Sequence, residues 1–373
     1  MTTRPAPDTT SAEERALRAD LATVRPLDAA AMAAAAAHLD RLTKPPGSLG
    51  RLEVLAIQVA GISGRADATV GSRAIVVAAA DHGVARRGVS AYPAEVTVQM
   101  VANFVSGGAA INVLAASIDA RLVVVDAGVA GPIPDVVAGP VRGGRLVSAR
   151  VRPGTADMTE GRAMTREEAF EAIGTGRRVV AELRAEPIGL DLLGIGEMGI
   201  GNTTAASALA AVLTGAPVDA VTGRGTGIDD AGRLRKIAAI EKALAVNAPD
   251  PADPLGVLAA VGGLEIAVLV GAIIEACLAG IPVVLDGFIS SSAALVAVAL
   301  EPRLGPRLIA GHRSSEPGHR IVLDHLGLMP ILELDLRLGE ASGAALAMGV
   351  IVAAAAIRDE MATFDSAGID GPA

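Results

Sequence analysis

AIVVAAADHG, residues 74–83, is the stretch that decides the fold. Its first part is wholly apolar, and a short apolar run that ends abruptly at polar residues and glycine predicts a buried strand opening into a loop. A strand without a polar side has to be covered on both faces, as strands of parallel sheets are. The segment therefore predicts a parallel strand whose carboxyl end leads into Asp81 and His82.

Similar runs recur along the chain, each ending near Gly, Asp or His and separated from the next by helix-like stretches. They cover residues 121–125, 190–195, 282–285 and 307–310, with 331–334 as a weaker candidate. The alternation predicts an α/β fold: a doubly wound, mainly parallel sheet with helices on both faces. Ligands of such sheets bind in the loops at the carboxyl ends of the strands. The loops of interest begin at Asp81, Asp126, Gly194, Asp286 and Gly311.

Helical segments precede the first strand. Residues 28–40 are almost entirely Ala and other good helix formers, residues 45–47 (PPG) interrupt them, and a second helix is predicted over 49–62. This hairpin lies outside the strand–helix alternation. The N-terminus lacks the apolar segment of a signal peptide, and residues 1–20 are predicted to be a disordered lead.

The composition narrows the class of protein. Of 373 residues 51% are apolar, yet there is no Trp, one Tyr and four Phe, so the core is built from Ala, Val, Leu and Ile. The net charge of −9, without a basic stripe, argues against nucleic acid as a partner. Cys277 is the single cysteine, which excludes an intramolecular disulfide and fits a reducing compartment. We expect an intracellular, cytoplasmic enzyme.

Two apolar stretches resemble membrane spans. Residues 266–300 are divided by Glu275 and Asp286, and residues 341–357 are uncharged but rich in Ala and Gly. The second stretch is at the lower edge of the length that a bilayer needs. We interpret it as a buried core helix and expect no membrane anchor.

The most informative loop is GIGEMGIGNTT, residues 194–204, between an apolar run and a helix-like segment. Its glycines let the backbone approach a ligand, and the following helix N-terminus offers free N–H groups to an anion. Asn202, Thr203 and Thr204 are candidate caps of that helix. A tight glycine turn without a ligand is the alternative.

The same loop formally contains a dinucleotide-binding fingerprint. Gly194, Gly196 and Gly199 satisfy G-x-G-x-x-G, and Asp219 lies where an acid that binds a ribose would fall. A nicotinamide-dependent oxidoreductase is therefore one alternative function. A Walker phosphate loop is absent from the sequence, which has no G-K-[ST].

Two further loops contain phosphate-binding candidates. Residues 222–229 (TGRGTGID) precede Arg233, Arg235 and Lys236. The positive charges of these residues could neutralise a bound phosphate, and the alternative is that they lie on a solvated helix face. Residues 311–319 (GHRSSEPGH) hold two of the histidines His312, His319 and His325, but neither helical His pairing nor a nearby Cys supports a metal site. We expect Ser314 and Ser315 to donate hydrogen bonds to a phosphate instead.

Glu340 stands at the head of the apolar segment 341–357. Partial desolvation there raises the pKa of a carboxylate and makes it a better proton acceptor near neutral pH. The alternative role is stabilisation of the helix dipole.

Residues 81–99 mix polar and apolar groups around the single Tyr92. Such a mixture could line a pocket for a flat apolar molecule, and an ordinary loop is the alternative.

Taken together, these segments resemble one family, the nicotinate-nucleotide:dimethylbenzimidazole phosphoribosyltransferases, which build the lower ligand of cobalamin. The resemblance extends over about residues 42–357 and depends on the order and spacing of its segments. They are LTKPPGSLGRLE (42–53), ADHGV (80–84), GVS (88–90), GIGEMGIGNTT (194–204), GRGTG (223–227), DGF (286–288), GHRSSEPGH (311–319) and LGEASGA (338–344).

The resemblance implies a reaction in which nicotinate mononucleotide and dimethylbenzimidazole, or a related aromatic base, give α-ribazole phosphate and nicotinate. Glu340 corresponds to the catalytic glutamate that accepts a proton from the base, and Glu197 to a second carboxylate near the ribose. Attack on the face opposite nicotinate inverts the anomeric carbon. Neither a metal nor a cofactor is implied, and a binding-only nucleotide protein is the other alternative.

The resemblance also assigns binding residues, domains and assembly. A large Rossmann-like catalytic domain (71–339) and a small helical domain (21–70 with about 340–373) are implied, in a homodimer. The base-binding positions are Ser90, Tyr92, Gln99 and Leu338. The phosphate- and nucleotide-binding positions are Gly199, Gly201, Asn202, Thr203, Gly225, Lys236, Asp286 and Ser314.

Overall fold

The structure, a computed structural model, describes residues 11–134, 143–225 and 227–370. Its centre is one six-stranded sheet in the order β3-β2-β1-β4-β5-β6, in which every neighbouring pair is parallel. The predicted doubly wound α/β fold is therefore confirmed. The strands are β1 (Arg73–Ala80), β2 (Ala120–Gly128), β3 (Arg145–Ser148), β4 (Leu192–Met198), β5 (Val283–Leu285) and β6 (Leu308–Ala310).

Five of these strands coincide with the predicted apolar runs. The exceptions lie at the margins of the sheet. Edge strand β3 was not predicted, and it is only four residues long with Arg145 and Ser148 exposed. The weaker candidate, residues 331–334, is wrong as a strand, because Leu332 forms only an isolated bridge with His312.

Helices cover both faces of the sheet. They are α1 (Ala12–Ala22), α2 (Ala29–Asp40), α3 (Arg51–Ser63), α4 (Val96–Ser106), α5 (Ala110–Ser117), α6 (Arg166–Ala185), α7 (Asn202–Thr214), α8 (Val218–Val221), α9 (Asp230–Asn247), α10 (Pro254–Val261), α11 (Leu264–Leu278), α12 (Phe288–Leu300), α13 (Pro317–Leu326), α14 (Ser342–Glu360) and α15 (Phe364–Ala367), with 3-10 helices at Gly83–Arg87 and Pro302–Arg307.

Strand β1 separates two hydrophobic cores. Ala74, Val76 and Ala78 face the core that contains α6, α7, α11 and α12, whereas Ile75 and Val77 face the core of α3, α4, α5 and α14. The absence of polar side chains in this strand follows directly from its burial on both faces.

Glycines bring α6 and α11 into backbone contact. A Cβ at Gly176 would lie 1.9 Å from the Val268 carbonyl oxygen, and one at Gly271 would lie 2.0 Å from that of Ile173. Small residues at the crossing therefore allow the two backbones to touch. This close packing fits a core that contains almost no aromatic side chains.

The disordered lead predicted for residues 1–20 is wrong in its second half, while residues 1–10 lie outside the described part. Helix α1 begins after the Ser11 N-cap, whose hydroxyl accepts the Glu14 N–H at 3.1 Å. The buried Glu14 carboxylate then pairs with Arg18 at 2.8 Å and with Arg166 of α6 at 2.9 Å. A long-range ion pair thus holds a segment whose local composition does not reveal its order.

Helices from both ends of the chain pack together. α3 contacts both α2 and α14, and α14 lies on β4 and β5. These helices share a hydrophobic core with one face of the sheet, which does not set them apart as a unit of their own. The separate small helical domain therefore stays a prediction.

By length and composition alone, residues 96–117 and Ser342–Glu360 pass as candidate membrane spans. The latter is α14, where residues such as Ala347, Met348 and Ile351 are buried against the sheet side. Its apolar character is that of a core helix, as the sequence predicts.

Candidate active site

A cleft lies at the carboxyl ends of the central strands, where the strand order changes direction between β1 and β4. This is the position at which doubly wound sheets bind ligands. The empty volume of the cleft is about 660 Å³, which includes open solvent at its mouth. Its lining comes from five segments of the chain and comprises Glu197, Met198, Gly199, Ile200, Asn202, Thr203, Gly225, Gly287, Phe288, Ile289, His312, Ser314, Glu316, Arg337, Leu338 and Gly339.

The turn that carries Glu340 has an unusual backbone. Gly339, Glu340 and Ala341 are all left-handed, with φ of 81°, 62° and 66°. Non-glycine residues adopt this region at an energetic cost and do so mainly where the surrounding structure enforces it, often at functional sites. Only then does α14 begin, at Ser342.

Four hydrogen bonds enforce the turn. The Glu340 N–H donates to the Glu197 carbonyl oxygen at 3.3 Å, and the Ser342 hydroxyl donates to the Gly339 carbonyl oxygen at 2.8 Å. Asp286, which follows β5, accepts the N–H groups of Gly343 at 2.7 Å and Ala344 at 3.1 Å through Oδ1. The turn is thus fixed to β4 and to the end of β5.

Glu340 and Glu197 are both buried at this turn, 6% and 5% exposed. Burial, followed by the charge of Asp286, raises the pKa of Glu340 to about 7. A helix dipole would lower the pKa of a carboxylate, so burial and repulsion dominate here. The predicted rise in the Glu340 pKa is confirmed.

The Glu197 carboxyl is held by a neighbour in the glycine loop. Its Oε2 accepts a hydrogen bond from the Asn202 side-chain amide. Burial raises the pKa of Glu197 well above the usual value, with further contributions from Asp286, Glu265 and Glu340. Several carboxylates this close do not all ionise without a compensating cation.

The glycine loop leads straight into α7, but no side chain in the described part of the chain caps that helix. Gly201, with φ of 99°, occupies the N-cap position. The predicted capping by Asn202, Thr203 or Thr204 is wrong, because the Asn202 amide turns to Glu197 and the Thr203 hydroxyl accepts from Lys236. These side chains serve the cleft instead of the helix end.

Of the basic residues Arg233, Arg235 and Lys236, Lys236 is the one whose side chain reaches the glycine loop. It is fully buried and its Nζ donates to Thr203 Oγ1 at 2.8 Å. Burial lowers its pKa to about 8, against the opposing effect of the Glu316 carboxylate. Its neighbours have structural roles, since Arg233 pairs with Asp219 at 2.8 Å and Arg235 faces the Gly88 carbonyl oxygen at 3.4 Å.

The dinucleotide fingerprint does not form a phosphate turn. Gly194 and Gly196 lie inside strand β4, and Asp219 is engaged by Arg233. Both glycines make room for neighbouring elements: a Cβ at Gly194 would lie 2.7 Å from Met348 Sδ. The oxidoreductase alternative loses the feature that supported it.

The 311–319 loop is fixed by a neutral histidine. His319 Nδ1 accepts the Ser314 N–H at 3.0 Å, and its Nε2 lies 3.0 Å from the Ser291 hydroxyl. Burial, and next the His312 ring, lower the His319 pKa to about 3. Ser314 lines the cleft, whereas Ser315 donates to the Asp335 carbonyl oxygen on the exposed side. Donation to a phosphate by Ser314 stays a prediction, and the hydroxyl of Ser315 is already engaged elsewhere.

The residues of the predicted base pocket are not all brought together. Leu338 lines the cleft and is 55% exposed at its mouth. Tyr92 is 54% exposed, and its N–H donates to the Ser90 hydroxyl at 3.3 Å. Ser90, Tyr92 and Gln99 are outside the lining of the cleft, and their contact with a base remains a prediction.

Sequence reasoning missed a buried ion pair beneath the glycine loop. His82 Nε2 lies 2.8 Å from Glu265 Oε1, and both residues are buried. Burial opposes the charged imidazole, but the Glu265 carboxylate outweighs it and raises the His82 pKa. The sequence feature that could have revealed this pair is Glu265, a lone acid within the apolar stretch 254–274.

Metal ligation finds no support in the described residues. They contain no group of three or more His, Cys, Asp or Glu side chains arranged to hold a metal ion. The His312 and His319 rings instead meet edge to face, 6.1 Å apart.

The chain is also similar to known proteins in sequence and in structure. A phosphoribosyltransferase family model, DBI_PRT, matches residues 24–369. The chain belongs to this family. Two proteins named nicotinate-nucleotide–dimethylbenzimidazole phosphoribosyltransferase illustrate the similarity. The one from Desulforudis audaxviator is 53% identical over 95% of this chain and 98% of its own length. The one from Chloroflexus aggregans is 54% identical over 93% and 96%.

Solved structures of the same phosphoribosyltransferase family superpose on this fold. CobT from Thermus thermophilus matches with a TM-score of 0.85 at 49% identity, covering 92% of this chain and all (100%) of that one. A second structure, of the nicotinate-nucleotide–dimethylbenzimidazole phosphoribosyltransferase from the same organism, gives a TM-score of 0.84 at 48% identity, covering 93% and 100%. Membership thus extends over nearly the whole chain.

Proposed function

We propose that the enzyme transfers the phosphoribosyl group of nicotinate mononucleotide to 5,6-dimethylbenzimidazole or a related aromatic base. The products are α-ribazole 5'-phosphate and nicotinate. The observation that carries the proposal is the position of Glu340: its turn is bonded to Glu197, on the cleft that also contains Gly199, Thr203 and Ser314.

In this mechanism the phosphate binds at the glycine loop and Lys236, which places the ribose toward the carboxylates. Glu340 accepts the N–H proton of the base while the other ring nitrogen attacks the anomeric carbon. A pKa of about 7 suits this role, since such a group is about half ionised at neutral pH and is basic enough to take a proton.

Attack proceeds from the face opposite nicotinate, so the β-nucleotide becomes an α-riboside. The pyridinium nitrogen loses its positive charge as the bond breaks, and the leaving group needs no proton. Glu197, ionised when the pyridinium cation is bound, stabilises positive charge that develops on the ribose. The Asp286 carboxylate adds to the negative charge at this corner of the cleft.

A direct experiment offers the enzyme nicotinate mononucleotide with a panel of benzimidazoles, phenols and adenine, and identifies the products by mass spectrometry. We expect an α-riboside phosphate and an equal amount of nicotinate. If no acceptor in the panel led to release of nicotinate, the proposal would be overturned. Binding of the mononucleotide without turnover would favour the binding-only alternative, and calorimetric NAD binding would favour the oxidoreductase.

The homodimer implied by the resemblance and the cytoplasmic location expected from the composition stay predictions. Sedimentation equilibrium at micromolar concentration tests the first, and cell fractionation tests the second.

A further inference from the structure

Glu316 is a buried carboxylate on the cleft whose two oxygens have different surroundings. It is 8% exposed and lines the cleft together with Ser314 and Gly225. Oε1 accepts the Gly225 N–H at 2.9 Å, whereas Oε2 is buried and has no hydrogen-bond partner in the described part of the chain. A buried carboxylate oxygen without a partner is unfavourable, so it calls for a partner such as a ligand can supply.

The chain holds this side chain in a fixed position. Glu316 precedes Pro317, the first residue of α13, and its N–H donates to the Ser314 hydroxyl at 3.3 Å. Its carboxylate does not cap α13 but crosses to the 223–225 segment. A Cβ at Gly223 would lie 2.1 Å from Oε2, so the glycine provides the space that the oxygen occupies.

The chemistry of a carboxylate oxygen restricts its partner. An ionised carboxylate only accepts hydrogen bonds, so the ligand atom must be a donor. In nicotinate mononucleotide the phosphate dianion and the nicotinate carboxylate have no donor, and the pyridinium nitrogen carries no hydrogen. The ribose 2'- and 3'-hydroxyl groups are the donors that remain.

We propose that Glu316 determines donor specificity by accepting a hydrogen bond from a ribose hydroxyl group through Oε2. This inference rests on the proposed function and identifies how the same site selects a ribonucleotide. Such a bond orients the ribose between its phosphate and the Glu197–Glu340 corner.

Glu316→Gln is the informative variant because it reverses hydrogen-bond polarity at one atom. The Gly225 N–H requires an acceptor, so the amide oxygen takes the place of Oε1 and the NH₂ group takes that of Oε2. Size and packing are kept. Glu241→Gln, an exposed position on α9, is the matched control.

The test measures kcat/KM for nicotinate mononucleotide and its 2'-deoxy and 3'-deoxy counterparts with dimethylbenzimidazole as acceptor. Wild type should prefer the ribonucleotide over one deoxy donor by about 10- to 100-fold, as expected for a lost bond to a charged group. E316Q should lose much of that factor on the ribonucleotide, because the amide can only replace the charge-assisted bond with a weaker neutral bond to the hydroxyl oxygen. It should lose little on that deoxy donor, so that the preference narrows. E241Q should match wild type.

Equal loss by E316Q on all three donors would assign Glu316 a purely structural role and overturn the proposal, as would a wild type that does not distinguish the donors. If E316Q does not fold, Glu316→Asp serves, since it keeps the charge but withdraws the oxygen and should also reduce the preference. If wild type turns over no donor, the proposed function fails. In that case, comparing the calorimetric affinities of the three donors still shows whether Glu316 binds a ribose hydroxyl group.

Discussion

Gly196 of β4 lies directly beneath Ala341, the last residue of the left-handed turn that carries Glu340. A Cβ at Gly196 would approach the Ala341 nitrogen to 2.1 Å and its Cα to 2.5 Å. The obstacle is backbone, which cannot rotate away as a side chain can. The position of the proposed general base therefore depends on a glycine in the adjacent strand.

Gly196→Ala should displace that turn and reduce kcat by at least about 100-fold, since misplacement of a reacting group by about 1 Å has this effect. Overpacking should also lower the free energy of unfolding by about 1–3 kcal/mol. Steady-state kinetics and denaturant unfolding measure the two effects. The control is Gly174→Ala in α6, where a Cβ meets nothing within 4 Å and should stabilise the helix slightly. Full activity in Gly196→Ala would refute this account of the turn.

Glu340→Gln should abolish turnover while nicotinate mononucleotide still binds. The amide has nearly the size of the carboxyl group but cannot accept the base proton, and loss of a general base costs about 10²–10⁴-fold in rate. Single-turnover kinetics and calorimetry separate the two effects. Glu360→Gln, an exposed residue at the other end of α14, is the control. Undiminished turnover would remove Glu340 from the mechanism.

The activity should depend on pH through the same group. With a Glu340 pKa of about 7, the ionised and active form is lost as pH falls, so kcat/KM should drop about tenfold per pH unit below that value. A pH profile from about 5.5 to 8.5 tests this. A flat profile down to pH 5.5 would mean that the base titrates elsewhere.

Stability should change with pH in the opposite direction. The Glu340 pKa rises from 4.5 in the unfolded chain to about 7 in the native protein, so the native state binds the extra proton. Its contribution is therefore fully present below 4.5 and is lost as pH rises through about 7, and Glu197 acts in the same sense. Urea unfolding of wild type between pH 5 and 8 should show this fall, and Glu340→Gln should show a smaller one. An identical slope in both proteins would contradict it.

The sequence predicted the strands well because each central strand is buried on both faces and is apolar throughout, as β1 is. It could not predict the edge strand β3, which is short and partly exposed. Nor could it predict the left-handed conformation at Glu340 and Ala341, which tertiary contacts impose on residues that disfavour it.

The candidate site was predicted unevenly for a related reason. Ser314 was identified because it lies in a glycine-rich loop after a strand, where the fold gathers the loops that bind ligands. Glu197 lies inside β4 and was identified only through the family resemblance. The His82–Glu265 pair was missed because its members are 183 positions apart and no local pattern relates them. Glu316 was passed over because its significance depends on one unpartnered oxygen atom.

Lys236→Met should weaken binding of the donor's phosphate while the fold is kept. The ammonium group is fully buried and its pKa is lowered to about 8 by that burial, so an apolar side chain of similar length removes a desolvation cost along with the bond to Thr203. We expect KM for nicotinate mononucleotide to rise about 10- to 100-fold with little change in melting temperature. The riboside, which lacks the phosphate, should lose far less. Lys242→Met, exposed on the same helix, should behave as wild type. Equal losses on nucleotide and riboside would show that Lys236 supports the cleft without contacting the phosphate.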